Sequence, residues 1–243
     1  MGAALAAVAA ANGHRVLWAS AGRSEATVAR ARAAELEDVR SVREVARRSE
    51  VIFSVCPPHA AAEVAASVGP FDGIYVDANA IAPVTTREIG ARLARYVDGG
   101  IIGPPPARTG TTRLYLSGPE AQSVAKLFER AALEPRVLSE TIGDASALKM
   151  VYAAWTKGTA ALLLAIRDVA RAQGVEPALR DEWELSLPQL PKRLEAAESS
   201  AAAKGWRWVA EMEEIAATFA STGNPEGFHR AAAAIYRRQE PSR

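Results

Sequence analysis

The chain changes character at residue 143. Before it, short β-branched and aromatic runs alternate with helical ones; after it, no stretch reads as a strand. The pattern predicts a helix over residues 2–11, an exit at Asn12-Gly13 and a strand over 15–19. Helices over 24–34 and 41–48 follow, then a buried strand over 51–55 that stops at Pro57-Pro58. The series continues with a helix over 59–68, a strand over 73–76, a helix over 83–95 and strands over 96–102 and 112–117. It closes with a helix over 119–132 and a strand over 136–139. Strands alternating with helices imply an α/β class with a mainly parallel, doubly wound sheet covered on both faces. The remainder reads as helices over 144–173, 176–185, 190–203, 205–220 and 225–238, an all-helical second domain. The expected division is therefore 1–142 and 143–243.

The helix that opens the second domain carries one charged side chain, Lys149, in a run from Gly143 to Thr156 that is otherwise small or apolar after Asp144. Gly143 and Asp144 supply a turn and an N-cap. At about 100° per residue, Lys149, Ala153, Thr156 and Ala160 share a stripe, so the lysine would look out over small side chains that could wall a ligand cleft between the domains. Lys157 lies about 80° further round and reads as a rim residue. A lone helical lysine is more often one that snorkels to water, and that reading stands beside the functional one.

Charge and cysteine content exclude several function classes. Lys and Arg number 29 against 28 Asp and Glu, with no basic block to track a phosphate backbone, so nucleic acid is not an expected partner. The single cysteine, Cys56, precludes an internal disulfide framework, and three scattered histidines offer no metal-ligand spacing. A reducing, cytoplasmic setting, no metal and no membrane association are expected. The apolar start over residues 1–11 lacks a preceding Lys or Arg and is closed by Asn12-Gly13, unlike a signal peptide.

In a doubly wound sheet, the first strand leads into a G-x-G-x-x-G turn whose helix presents backbone N–H groups to a pyrophosphate. If Met1-Gly2 is the tail of that turn, the helix over 2–11 faces the phosphates, and the strand over 15–19 carries the ribose-reading residues. That position holds Ser20-Ala21-Gly22-Arg23-Ser24, with no Asp or Glu before Glu25. A carboxylate there would bond the ribose hydroxyls of NAD. Arg23 with Ser20 and Ser24 would instead hold the 2'-phosphate of NADP, so NADP is the expected cofactor, with NAD possible. Arg23 as an ordinary helix-flanking arginine is the competing reading. The first strand and two glycines of the fingerprint, roughly eight residues, are expected to lie upstream of this sequence.

With those residues on view, the chain resembles the β-hydroxyacid dehydrogenase superfamily, which includes phosphogluconate and 3-hydroxyisobutyrate dehydrogenases. It is most similar to phosphogluconate-dehydrogenase-like oxidoreductases that carry a C-terminal helical domain of unassigned function. The resemblance rests on residues 76–83 (Val-Asp-Ala-Asn-Ala-Ile-Ala-Pro), 98–104 (Asp-Gly-Gly-Ile-Ile-Gly-Pro) and 204–216 (Lys-Gly-Trp-Arg-Trp-Val-Ala-Glu-Met-Glu-Glu-Ile-Ala). It implies a Rossmann-like NAD(P)-binding domain, an interdomain helix bearing a catalytic lysine, and helical domains that pair in a homodimer. The lysine motif falls on Gly143 and Lys149, which makes Lys149 the candidate general acid and base, with partial burial drawing its pKa toward working pH. Val55, Cys56 and Pro57 would line the cofactor site.

The sequence also departs from that family. An asparagine expected four residues after the lysine is Ala153, and a serine with paired glycines that grip a substrate carboxylate is replaced by Ile102-Gly103-Pro104. That leaves Gly103, with Ala153 and Thr156, to border the substrate. Asn79 reads either as a contact to substrate or nicotinamide amide, or as a strand-end turn residue. In the fourth helix of the second domain, Trp208, Met212, Ile215 and Phe219 form a core stripe. Lys204, Arg207, Glu211 and Glu214 form a second one beside it, suited to an interface or to pairing such as Arg207 with Glu211. The expected function is NADP-dependent oxidoreduction of a small hydroxy or carbonyl substrate. An imine-reductase-like enzyme and a non-catalytic cofactor-binding or dimerisation module are the alternatives.

Overall fold

The computed structural model describes residues 1–129 and 131–238, in two compact units divided between Lys149 and Met150. Arg130, inside the predicted helix over 119–132, lies outside the described residues.

The first unit opens with helix α1 (Gly2–Ala11), strand β1 (Leu17–Trp18), helix α2 (Glu25–Ala33), strand β2 (Glu37–Asp38) and helix α3 (Val42–Arg48). Strand β2 was not expected from the sequence: Glu37-Asp38 is polar and only two residues long, and it forms by parallel pairing with β1. Strand β3 (Val51–Ser54), a 3₁₀ turn (Pro58–Ala60), helix α4 (Ala61–Val68), strand β4 (Ile74–Asp77) and helix α5 (Pro83–Gly90) come next. Strand β5 (Tyr96–Ile102), strand β6 (Thr112–Ser117), helix α6 (Ala121–Ala125), a 3₁₀ turn (Lys126–Phe128) and strand β7 (Leu133–Ser139) complete the α/β part. Helix α5 stops five residues before the predicted end at 95. Its chain tightens through Arg92 N–H to Ile89 O and Leu93 N–H to Gly90 O before entering β5.

The strands form two ladders. Strands β1 and β2 pair with each other, and a five-stranded sheet runs β3-β4-β5-β6-β7. The steps β3–β4, β4–β5 and β6–β7 are parallel, and β5–β6 is antiparallel, so the sheet is mainly parallel as expected. Side chains alternate between two cores. Leu5 and Val8 of α1 pack with Val76, Val97, Leu114, Leu116 and Phe128 on one face. Ile52, Tyr75 and Tyr96 pack with Ala61, Val68 and Ile89 on the other.

The second unit is all-helical. Helix α7 (Asp144–Ala172) belongs to the first unit through Lys149 and to the second from Met150 onward. Helices α8 (Glu176–Ser186), α9 (Leu190–Ala220) and α10 (Gly227–Arg237) follow. The two helices expected over 190–203 and 205–220 are one. Gly205, expected to interrupt them, is buried within α9, where packing offsets the roughly 1 kcal/mol that a helical glycine costs. Met212 and Ile215 are fully buried, and Trp208 meets Tyr236 edge to face at 5.1 Å, which confirms the core stripe. Among the described residues no helix is long and apolar enough to cross a membrane.

Candidate active site

The carboxyl ends of β3 and β4 are tied together by one side chain. Asn79, just past β4, is buried: its Oδ1 accepts from Cys56 N–H at 2.6 Å and its Nδ2 donates to Ser54 Oγ at 3.0 Å. Its own N–H donates to Asp77 Oδ1 at 3.0 Å. With both ends of the amide engaged, Asn79 fixes the turn at Val55-Cys56-Pro57 from beneath, in keeping with the strand-end reading of this residue. Burial pushes the Cys56 thiol up, out of the range of a reactive thiolate, while the Arg23 charge bears on it in the opposite direction.

Arg23 and Cys56 therefore belong to one electrostatic neighbourhood, although they come from different strand ends. Arg23 is exposed in the turn between β1 and α2. Ser24 is the N-cap of α2, with its hydroxyl 3.1 Å from Thr27 Oγ1. Ser20 N–H donates to Asp38 Oδ1 at 3.3 Å, and Ala21 N–H donates to Arg40 O at 2.8 Å. Hydrogen bonding from Ser20 holds the exposed Asp38 carboxyl below its ordinary range. Sequence reasoning missed Asp38 because it lies fifteen residues beyond Arg23 on an unforeseen strand, yet it shapes the turn that carries the candidate phosphate-binding residues. Gly2, at the start of α1, sits over Val55: a Cβ there would lie 3.6 Å from Val55 Cβ, an ordinary contact. Packing alone does not demand glycine at that position. The cationic, hydroxyl-bearing turn at Ser20–Ser24 suits an anionic phosphate, and the half-buried Val55 and Cys56 suit a flat apolar group beside it.

Lys149 reaches this unit through the first two turns of α7. Asp98, buried on β5, accepts five hydrogen bonds. Oδ1 receives Ser146 Oγ (2.6 Å) and Thr86 Oγ1 (3.2 Å); Oδ2 receives Ser146 N–H (2.9 Å), Ser117 Oγ (3.0 Å) and Gly143 N–H (3.1 Å). Ser117 Oγ also accepts from Ala145 N–H at 3.0 Å. The orphan donors of the helix start are thus satisfied from inside the sheet. Two residues along β5, Gly100 lets the second turn lie directly on the strand: a Cβ there would stand 2.8 Å from Ala145 O and 3.1 Å from Lys149 Cβ. Residues 144–149 of α7 therefore lie against β5 at Gly100, with Lys149 half-buried. The first compact unit correspondingly includes α7 through Lys149.

The neighbouring strand holds a contrasting carboxyl. Asp77 is in register with Asp98, yet Asp77 Oδ2 is buried with no hydrogen-bond partner among the described residues. Burial first, and the Asp98 charge further, push Asp77 up to about 7.

The structure corrects the rim reading of Lys157 and shows where the other candidates stand. Ala153 is fully buried and Thr156 is exposed, so these two members of the stripe meet different surroundings within the second unit. Both residues lie in the second unit, whereas Lys149 closes the first. Lys157 is no rim residue: its Nζ donates to Glu211 Oε1 at 2.7 Å with both side chains largely buried, and it lies 5.9 Å from the Trp208 ring. Arg207 stacks on Trp206 at 4.8 Å. Gly103 stands where expected, at the exit of β5. Its φ of +126° and the approach of Thr111 O, 2.4 Å from where a Cβ would be, require glycine for the turn itself.

Comparison with known proteins places this geometry. Residues 1–80 match the family described as NADP oxidoreductase, coenzyme F420-dependent, and residues 170–239 match DUF1932, a domain of unknown function. An uncharacterized 28.5 kDa protein of Methanothermus fervidus is 31% identical over 157 residues, which make up 63% of this chain and 61% of that protein's length. Among solved structures, a conserved protein of unknown function, described as similar to 3-hydroxyacid dehydrogenases, is 27% identical with a TM-score of 0.69. That match covers 99% of this chain and 95% of the other. A 3-hydroxyisobutyrate dehydrogenase from Salmonella typhimurium shares the fold at 16% identity and a TM-score of 0.70, covering 98% and 90%. The chain has the NAD(P)-binding fold of the β-hydroxyacid dehydrogenase type, followed by a DUF1932 helical domain.

Proposed function

We propose that this fold serves an NADP-dependent oxidoreductase that moves a hydride between nicotinamide and a small hydroxy or carbonyl substrate, with Lys149 as general acid and base. The observation that carries the reading is the seat of Lys149, whose Cβ lies over Gly100 on β5, within the unit that holds Arg23 and Cys56. Ligands of open α/β sheets bind at the carboxyl ends of the strands. Bound nicotinamide would supply the hydride. As it reaches the carbonyl carbon, the C=O π pair moves to oxygen, and an ammonium at Lys149 gives that oxygen its proton; in the oxidative direction the neutral amine takes the proton back. Arg23, with Ser20 and Ser24, would hold a 2'-phosphate, and Val55, Cys56 and Pro57 would flank the cofactor.

Fluorescence titration with NADPH and NADH is the first test. NADPH is expected to bind at least about tenfold more tightly than NADH, with Arg23→Ala removing that preference, because a phosphate contact through a charged hydrogen bond contributes about 1.5–3 kcal/mol. Lys149→Ala is expected to keep NADPH binding and to abolish reduction across a panel of small carbonyl compounds. Absence of binding by either nucleotide would sink the reading. The competing non-catalytic module draws support from Ala153, a buried side chain without a polar group one turn beyond Lys149. NADPH binding with no turnover of any carbonyl or imine would favour it.

We also propose a homodimer through the helical unit. Val151, Trp155, Leu162 and Val169 are exposed on α7, with Trp155, Leu162 and Val169 at seven-residue spacing, a stripe that a second copy could cover. Native mass spectrometry that shows only monomer at micromolar protein would remove the dimer.

A further inference from the structure

We propose that Asp98 is the positioning residue for Lys149: its carboxylate clamps the first turn of α7 onto β5 and thereby sets where the lysine amine stands. This rests on the catalytic reading of Lys149 given above. Asp98 accepts from five donors, and three of the five bonds come from the two residues Gly143 and Ser146. These lie 45 and 48 residues away in sequence, so the bonds fix the helix to the sheet and do not merely decorate a local turn. Ser117, from β6, reinforces the clamp by donating to Asp98 and accepting from Ala145 N–H.

The geometry then transmits along α7. One turn separates Ala145 from Lys149, and both sit over Gly100, two residues beyond Asp98 on the same face of β5. A rotation or lift of the first turn would swing Lys149 with it, because Ala145 O and Lys149 Cβ already fill the space above Gly100. Catalytic groups tolerate displacements of only about 0.5 Å, so a buried clamp one turn before the lysine has a direct consequence for the amine. Thr86 connects the clamp to α5 and to Tyr96, whose hydroxyl lies 2.5 Å from Thr86 Oγ1, so the carboxylate is itself held from a second side.

The test reads Lys149 directly and needs neither cofactor nor substrate. Reductive methylation with ¹³C-formaldehyde gives each of the five lysines an NMR signal, and Lys149→Arg identifies the one of interest. In Asp98→Asn, amide hydrogen exchange at residues 143–147 is expected to accelerate at least tenfold. The Lys149 methyl signal and its titration midpoint are expected to move, while those of Lys157 and Lys192 stay in place. Faster exchange with an unmoved Lys149 signal would reduce Asp98 to a structural cap and overturn the proposal, as would no change in either. Should Asp98→Asn fail to fold, the double variant Ser117→Ala with Ser146→Ala keeps the carboxylate and removes two donors. It is expected to shift Lys149 in the same direction by less, and an unmoved signal there overturns the proposal equally. Turnover that survives Lys149→Ala would count against the catalytic reading alone and would leave the NMR result standing.

Discussion

Two aspartates in register on adjacent strands show how differently one side chain can be used. Asp98 on β5 is surrounded by donors from β6, α5 and the start of α7; among the described residues Asp77 on β4 receives one backbone N–H at Oδ1, and its buried Oδ2 has no hydrogen-bond partner. Both are almost inaccessible to solvent. A charge can be buried where hydrogen bonds replace water, and otherwise the group keeps its proton. The pair therefore divides the labour: Asp98 fastens a helix, and Asp77, raised to about 7, holds its proton well above the ordinary carboxylate range beside it.

Substitution should separate the two most sharply at Asp98. Removing its carboxylate in Asp98→Ala strands five donors in the interior, with an expected loss of about 3–5 kcal/mol in urea unfolding. A loss below about 1 kcal/mol would break the contrast.

Asp77 should behave in the opposite sense and with pH. Its unfolded value of 3.8 is raised to about 7 in the fold, so between those values the native state holds a proton that the unfolded chain has released. Its contribution is fully present below pH 3.8 and is lost as pH rises toward 7. Asp77→Asn cannot ionise. The stability difference, variant minus wild type, should grow by on the order of 2–4 kcal/mol from pH 4 to pH 8. A difference that is flat with pH would show that Asp77 ionises as freely as a surface carboxyl.

Gly100→Ala sharpens the contrast from the helix side. The added methyl meets Ala145 O at 2.8 Å, and an expected cost of about 1–3 kcal/mol should be accompanied by faster amide exchange in the first turn of α7. An unchanged denaturation midpoint would mean that the helix can lift off β5 at little cost.

Much of this arrangement is legible in the residues. The switch from strands to helices, the exit of β3 at Pro57 and the unusual Asp-Gly-Gly opening of residues 98–104 are local signals, and the last marks the strand on which the candidate lysine rests. The role of Asp98 is not legible. A carboxylate in an apolar strand flags a buried polar group, but its partners at Gly143 and Ser146 are chosen by chain closure over more than forty residues. Lys157 illustrates the same limit. Helical angle put it on a rim, whereas Glu211, 54 residues on, drew it inside.

The sequence by itself determined the order and type of most elements, the two-part division and the position of Lys149 near its boundary, because hydrophobic period and turn chemistry act over a few residues. Tertiary structure decided how many donors each buried aspartate meets, that Lys157 pairs with Glu211 inside the helical unit, and that residues 190–220 form one helix through Gly205. Those outcomes depend on desolvation and on partners brought together from distant strands and helices, energies of several kcal/mol that no local window contains.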